Sequence, residues 1–444
     1  MKKDISHKFT LPELVRFSLP AIAMLILTSL YTAVDGVFIS RYVGSDALSS
    51  INIMLPLDML ACGIAIMFGA GGSAIIGRKL GQGRSEEAKQ NFAFITLAAI
   101  AAGLLMTALT VAFLEPLAGF LGASERLMPY CLDYGYILFG FSVPYIVQVM
   151  YQSLFITAGK SHLALGLTVL SGLLNVVLDY LFIVVMGLGI AGAAWGTVIG
   201  RSVGGVFPLF YFLKDRGTLG YRRPRWDTGV LLRTMGNGSS EMVSNLAAGV
   251  TTLLFNLSMM RLAGETGVAA MTIVLYTQFV YTAVYLGFSN SAAPVISYNY
   301  GSGDRGYLQR LFRFCLAIVG GSTVLMLTAS VVFARPLIAL FTPQGTEVFD
   351  MAYHGYLLFI WNFLFAGVNI FASGLFTALS NGAVSALISF LRTLVFVSGS
   401  VLLLPLWLGL DGVWLSIPLA EFLTCIVAVS LIVRFGREPY HYWK

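Results

Sequence analysis

Val43-Gly44-Ser45-Asp46-Ala47-Leu48, moved along the chain by 220 residues, falls on Ala263-Gly264-Glu265-Thr266-Gly267-Val268. The same shift of 220 carries Gly81-Gln82-Gly83 onto Gly301-Ser302-Gly303, and Leu188-Gly189-Ile190-Ala191-Gly192 onto Leu408-Gly409-Leu410-Asp411-Gly412. Each match is loose, but all three keep one register from end to end. The chain therefore reads as an internal duplication.

The segments between these motifs are apolar and about 20 residues or longer, enough to cross a bilayer as helices. The sequence is 57% hydrophobic and only 11% charged, against about 25% charged in a soluble domain. This is an all-α integral membrane protein. Twelve spans are expected, near 15–42, 51–77, 91–114, 130–157, 163–186, 190–213, 234–262, 270–298, 307–333, 352–379, 384–407 and 411–434. They are too long for barrel strands and lack short alternation. No cleavable leader is expected, because the run after the basic N-terminus is a full span without a small-residue cleavage site.

With the N-terminus inside, 21 of the 27 lysines and arginines fall at the inner ends of the spans. Only Arg41, Arg126, Arg261 and Arg335 fall outside, and Arg201 and Arg392 lie within spans. That asymmetry puts both termini in the cytosol. The net charge of +6 then reflects topology and contact with anionic lipid, not nucleic acid. The hydrophilic stretch 214–233 is the natural linker between an N-terminal bundle, 1–213, and a C-terminal bundle, 234–444. Six spans per half make the repeats parallel, related by an axis along the membrane normal. Two six-helix bundles facing a central cavity is the architecture of a carrier.

Acids placed in a bilayer cost about 2.5 kcal/mol or more and demand a partner or a function. The candidates are Asp35, Asp58, Asp179, Glu241 and Glu421. Asp35, Asp179 and Thr197 each lie seven residues from the outer end of their spans, roughly 10 Å below the surface. Asn175 shares the face of Asp179, and Tyr31 the face of Asp35, one turn deeper. This first-half cluster suits a proton or a sodium ion. Shifted by 220, Asp35, Asn175, Asp179 and Thr197 meet Phe255, Val395, Gly399 and Ile417, so the polar cluster is not duplicated with its scaffold. Asp58 joins the cluster or lines the cavity. Glu241 meets a cationic substrate or pairs with Arg233. Arg201 pairs with Asp179 or another acid. Gly192, Gly196, Gly200 and Gly204 form a stripe read as plain helix packing. Pro20, inside the first span, removes a helical hydrogen bond.

Other chemistries are weakly represented. Ala158-Gly159-Lys160-Ser161 has the tail of a phosphate loop but neither its first glycine nor a preceding strand. His7, His162, His354 and His441 have no metal spacing, and the four cysteines are scattered. No cofactor and no catalytic residue is expected. Energy must come from an ion gradient, with H+ or Na+ as coupling ion, or transport is passive.

Tyr31-Thr32-Ala33-Val34-Asp35-Gly36-Val37-Phe38-Ile39 with Val43-Gly44, Asn175-Val176-Val177-Leu178-Asp179 with Gly187-Leu188-Gly189, and the paired Gly81-Gln82-Gly83 and Gly301-Ser302-Gly303 resemble the multidrug and toxic compound extrusion (MATE) family. The likeness spans nearly the whole chain and is nearest the bacterial MepA-like or DinF-like branch, which implies the cytoplasmic membrane of a bacterium. It implies a V-shaped pair of bundles exporting amphipathic, often cationic compounds against H+ or Na+ entry. It also implies a cation site at Asp35, Asn175, Asp179 and Thr197, with Tyr31 beside it and Pro20 as a hinge. Some members carry a second-half site with a glutamate, matched by Glu241, and an aspartate on the tenth span; Tyr353 to Leu379 holds no acid. The partners implied are small molecules and membrane lipid, with the chain acting as a monomer. A lipid-linked oligosaccharide flippase is the alternative, disfavoured because Arg201 is nearly alone as a basic residue in the first-half spans.

Overall fold

The computed structural model describes residues 5–214, 217–438 and 440–442; within these, the side chains at 30, 32–34, 36, 37, 40 and 45 are left undescribed. Lys2, Lys3, Arg216 and Lys444, counted above for topology, lie outside the described residues. Among the described residues the chain is helical, with no strand.

The first half runs α1 (Leu11–Tyr42), α2 (Ser45–Gly81), α3 (Ser85–Ala112), the short α4 (Leu114–Phe120), α5 (Met128–Gly140), α6 (Ser142–Thr157), α7 (Ser161–Asp179) and α8 (Gly189–Tyr211). The second runs α9 (Thr228–Ser302), α10 (Arg305–Val332), α11 (Ala334–Ala339), α12 (Glu347–Phe359), α13 (Phe363–Ala378), α14 (Gly382–Phe390), α15 (Val397–Leu403), α16 (Pro405–Leu408) and α17 (Leu410–Arg437). Nine described segments are long and apolar enough to cross a membrane unaided. The pair α5–α6 crosses as one span bent by 56°. Glycine-rich α8 and a second leg of α9 complete the expected twelve.

Helix α9 differs from the sequence reading. Its 75 residues would be about 112 Å long if straight, several times the hydrocarbon thickness. It breaks at Gly264, where φ is 62° and ψ −151°, into the expected seventh and eighth spans. It also starts at Thr228, inside the stretch read as linker, because Asp227 Oδ1 caps it by accepting from Val230 N at 3.1 Å.

The repeat is written into the backbone. Gly44 and Gly264, Gly83 and Gly303, and Gly189 and Gly409 all take positive φ, each pair 220 residues apart. These are the motifs that revealed the duplication. Their glycines are kept because other residues resist that region. The halves also touch reciprocally. A Cβ on Gly81 would overlap the Tyr298 carbonyl, and one on Gly301 would overlap the Arg78 carbonyl. Adding 220 to one contact gives the other, so a pseudo-two-fold axis passes between α2 and the second leg of α9. Gly77 and Ser297, equivalent positions, meet near it, and Ser297 Oγ donates to the Ala74 carbonyl. Gly71 against Thr234 and Gly238 against Met67 extend this backbone-to-backbone seam. All of it lies toward the end of the molecule that carries the basic loops.

Helix α1 changes allegiance along its length. Ile5, Phe9 and Leu14 belong to the second-half core with Phe312 and Phe371. Ile22 packs on Gly287 of α9. Nine residues later, Tyr31 packs on Gly172 of α7, in the first half. Lys8 ties the start to Asp304 at 2.6 Å, and Tyr307 OH donates to the Phe9 carbonyl at 3.2 Å. Pro20, buried within α1, sits at the changeover.

Candidate functional site

The first-half acids meet. Asp35 on α1 and Asp179 at the end of α7 interact through their carboxyls, although 144 residues separate them in sequence. Asp179 is fully buried. Neither of its oxygens, nor Asp35 Oδ1, has a hydrogen-bond partner among the described residues. Asn175, one turn before Asp179, donates from Nδ2 to Thr197 Oγ1 of α8 at 3.3 Å, while its Oδ1 is also unpartnered. Asp35, Asp179 and Thr197, selected by depth, and Asn175, selected by helix face, therefore lie in one cluster. Tyr31 lies beside them, with Thr28 and the charges of Arg201 and Asp58 around its hydroxyl. Directly after Asp179 the chain widens into a π-helical turn, Tyr180–Val185, a feature that recurs at functional sites.

The glycine stripe on α8 was read as plain packing, and that reading is too modest. Gly192 meets Phe182 and Gly204 meets Gln148, which is packing. A Cβ on Gly196, however, would overlap Asp179 Oδ1, and one on Gly200 would lie 2.8 Å from the Ser171 carbonyl and 3.4 Å from Asn175 Cβ. These two glycines leave room for the acid and the amide to point where they do.

Arg201 does not neutralise Asp179. Its guanidinium grips Asp58 of α2 in fork geometry, Nη1 to Oδ1 at 2.7 Å and Nη2 to Oδ2 at 3.2 Å. It also stacks 3.7 Å from the Tyr145 ring centroid. Asp58 is thus an ion-pair partner and not a member of the Asp35–Asp179 pair. Such a fork is the strong form of carboxylate recognition, and its loss on one side strands a desolvated charge.

The second half is built differently. Glu421 of α17, 220 residues after Arg201, is 3% exposed. Its Oε1 accepts from Arg392 Nε and Nη2 at 2.8 and 2.6 Å, and its Oε2 accepts from Asn369 Nδ2 at 2.7 Å. Glu241 faces the charge of Arg392. The alternative partner Arg233 sits eight residues earlier in α9, about 12 Å along the helix, where it lines a separate cleft. Arg392, read from sequence only as a charge within a span, is the residue that organises this region. Among the described residues no group of three or more histidine, cysteine or acidic side chains is placed to hold a resident metal.

Two pseudo-symmetric halves of apolar helices, closed on each other at one end and enclosing unpartnered acids in one half, define a multi-pass membrane transporter, not an enzyme. The MatE family model matches residues 20–181 and again 242–402, once in each half. The chain belongs to the MatE family. It is 24% identical over 428 residues to the multidrug export protein MepA of Staphylococcus aureus (strain NCTC 8325 / PS 47), covering 96% of this chain and 94% of that protein. Its fold matches a crystal structure of a variant of the Vibrio cholerae MATE transporter VcmN with a TM-score of 0.90, at 22% identity over 98% of each chain. It also matches the outward-facing conformation of a multidrug resistance MATE family transporter of the MOP superfamily with a TM-score of 0.89, at 21% identity over 98% of each.

Proposed function

We propose that this protein is a multidrug efflux antiporter, exporting amphipathic, often cationic organic compounds in exchange for H+ bound at Asp35 and Asp179. The observation that carries the reading is a set of four buried oxygens without donors: Asp35 Oδ1, Asp179 Oδ1 and Oδ2, and Asn175 Oδ1. Two carboxyls that meet without a donor are held together by a proton or a cation; with neither, they repel. Na+ is a second reading, favoured by the size of the set. A proton bridges one pair of oxygens, whereas a hard cation takes several oxygen ligands at once. Thr197 Oγ1 adjoins the set through its bond to Asn175.

Exchange needs only that ion and drug prefer different conformations. Helix α1 is suited to convey that preference, since its beginning packs in the second half and its Asp35 in the first. Ion occupancy that draws Asp35 toward Asp179 would pull α1 relative to the second half, with Pro20 as the yielding point. The basic end is taken as cytosolic, so the seam between α2 and α9 closes the cytosolic side of the carrier. The protein would act as a monomer in the cytoplasmic membrane of a bacterium, with both termini inside.

The test is uphill efflux of a cationic dye from proteoliposomes under an imposed proton gradient or an imposed sodium gradient, applied separately. Efflux driven by either gradient supports exchange and names the ion. Efflux that only follows the dye's own gradient rejects coupling.

A further inference from the structure

A cleft of about 840 Å³ opens at the basic end, on the seam between the halves. One wall is the last turn of α2 with Arg84; the other is the first turns of α9 and α14. Arg78, Lys79, Arg84 and Arg233 line it against the single carboxylate Asp227. Asp227 is engaged in capping α9. Lys79 and Arg84 share Glu87 at 2.8 and 3.9 Å. Arg78 lies 5.0 Å from the Tyr300 ring centroid. Among the described residues, neither Arg78 nor Arg233 has a carboxylate partner. Two helices, α9 and α14, also begin at this cleft, adding the positive ends of their dipoles.

The cleft is more than a patch of surface charge. Asn237, a lining residue only 4% exposed, donates from Nδ2 to the Thr377 carbonyl at 2.7 Å, and its Oδ1, itself buried, has no donor among the described residues. The Oγ of Ser380, another lining residue, has no partner among them either. Ser380 holds φ at 61°, and the matching turn of the first half uses Gly159 at 69°. A serine in that conformation costs roughly 1–2 kcal/mol. An occupant that matches the four cations on the lining is an anion.

We infer that this cleft binds a phosphate ester, of the glycerol phosphate class. The phosphate meets Arg78, Arg84 and Arg233, which suit it by fork geometry. Because the walls come from both halves, an occupied cleft holds the basic end shut. The ester can come from an anionic lipid headgroup or from a soluble metabolite.

The experiment uses the purified full-length protein and compares Arg84→Gln/Arg233→Gln with Arg310→Gln/Arg313→Gln, which removes equal charge from the same end outside the cleft. One arm titrates glycerol 3-phosphate calorimetrically in neutral detergent. The other follows thermal unfolding in phosphatidylcholine nanodiscs with and without phosphatidylglycerol. Saturable glycerol 3-phosphate binding, weakened about tenfold or more in the cleft variant and unchanged in the control, identifies a soluble source. Stabilisation by phosphatidylglycerol that only the cleft variant loses identifies a lipid source. Equal behaviour of the two variants in both arms overturns the site, and neither arm depends on transport.

Discussion

The two halves share a scaffold and oppose each other in charge. Position 201 is an arginine and its repeat, position 421, a glutamate. Arg201 finds an acid on α2, while Glu421 finds an arginine on the stretch linking α14 to α15. After those pairs form, the second-half acid is saturated by Arg392 and Asn369. The first half has engaged its cation with Asp58; the charges of both reach Asp35 with opposite sign, and Asp35 Oδ1 and both Asp179 oxygens are left without a hydrogen-bond donor. The difference teaches that an acid inside the membrane is not by itself a coupling site. What distinguishes the first half, among the described residues, is a pair of acids without a hydrogen-bond donor, which is where the proposed ion would bind.

Replacing each acid by its amide should separate the halves most sharply. Asp179→Asn is expected to abolish gradient-driven dye efflux while the unfolding midpoint holds or rises, since a repelling pair is relieved. Glu421→Gln is expected to do the reverse. It strands Arg392 and costs about 3–5 kcal/mol of stability, while protein that remains folded still couples. Efflux and thermal unfolding measured on one preparation decide both.

A smaller change tests the cradle. Gly196→Ala places a methyl where Asp179 Oδ1 sits, so efflux should fall at least tenfold without loss of folded protein, as positioning errors of about 1 Å do. The repeat-equivalent Ser416→Ala loses only a bond to the Gly412 carbonyl of its own helix and should transport normally. Equal defects in the two would deny Gly196 its special role.

The seam offers a symmetric comparison. Gly81→Ala and Gly301→Ala each insert a methyl against the opposite half's backbone, an overpacking worth about 1–3 kcal/mol. Both should loosen the basic end to the same degree, read as faster labelling of a cysteine placed on the seam. Markedly unequal labelling would show that the pseudo-two-fold contact is not shared energetically.

The least effect is expected at the foot of α1. Lys8 and the Tyr307 amide hold the Asp304 carboxyl below its ordinary range. A depressed carboxylate contributes above its unfolded value and loses that contribution as pH falls through the folded one. The tie between α1 and the second half should therefore weaken in acid. Asp304→Asn should remove this pH dependence at a cost of about 0.5 kcal/mol, visible as earlier amide exchange near Phe9.

Much of this was legible in the sequence because membrane helices fix depth by counting. Seven residues from a span's end placed Asp35, Asp179 and Thr197 at one level, and the structure brings all three together with Asn175. Counting does not give rotation, so the partners of Asp58, Glu241 and Glu421 were not readable. Each depends on which way a helix faces a neighbour from another part of the chain. The glycine motifs were visible as a repeat, but not their work. In Gly81-Gln82-Gly83 the first glycine admits the other half's backbone and the last ends the helix at positive φ. The same holds for Gly301-Ser302-Gly303. The run of α9 through Gly264 escaped hydropathy because a kinked helix and two helices have the same composition.

The central claim, that Asp35 and Asp179 hold the exchanged ion, is tested most directly by equilibrium binding of a cationic dye over a range of pH and of sodium concentration. Coupling is reciprocal. The wild-type protein should therefore lose dye affinity as the coupling ion rises, and the Asp35→Asn/Asp179→Asn variant should bind dye equally at every ion concentration. An ion dependence that survives in that variant would contradict the account.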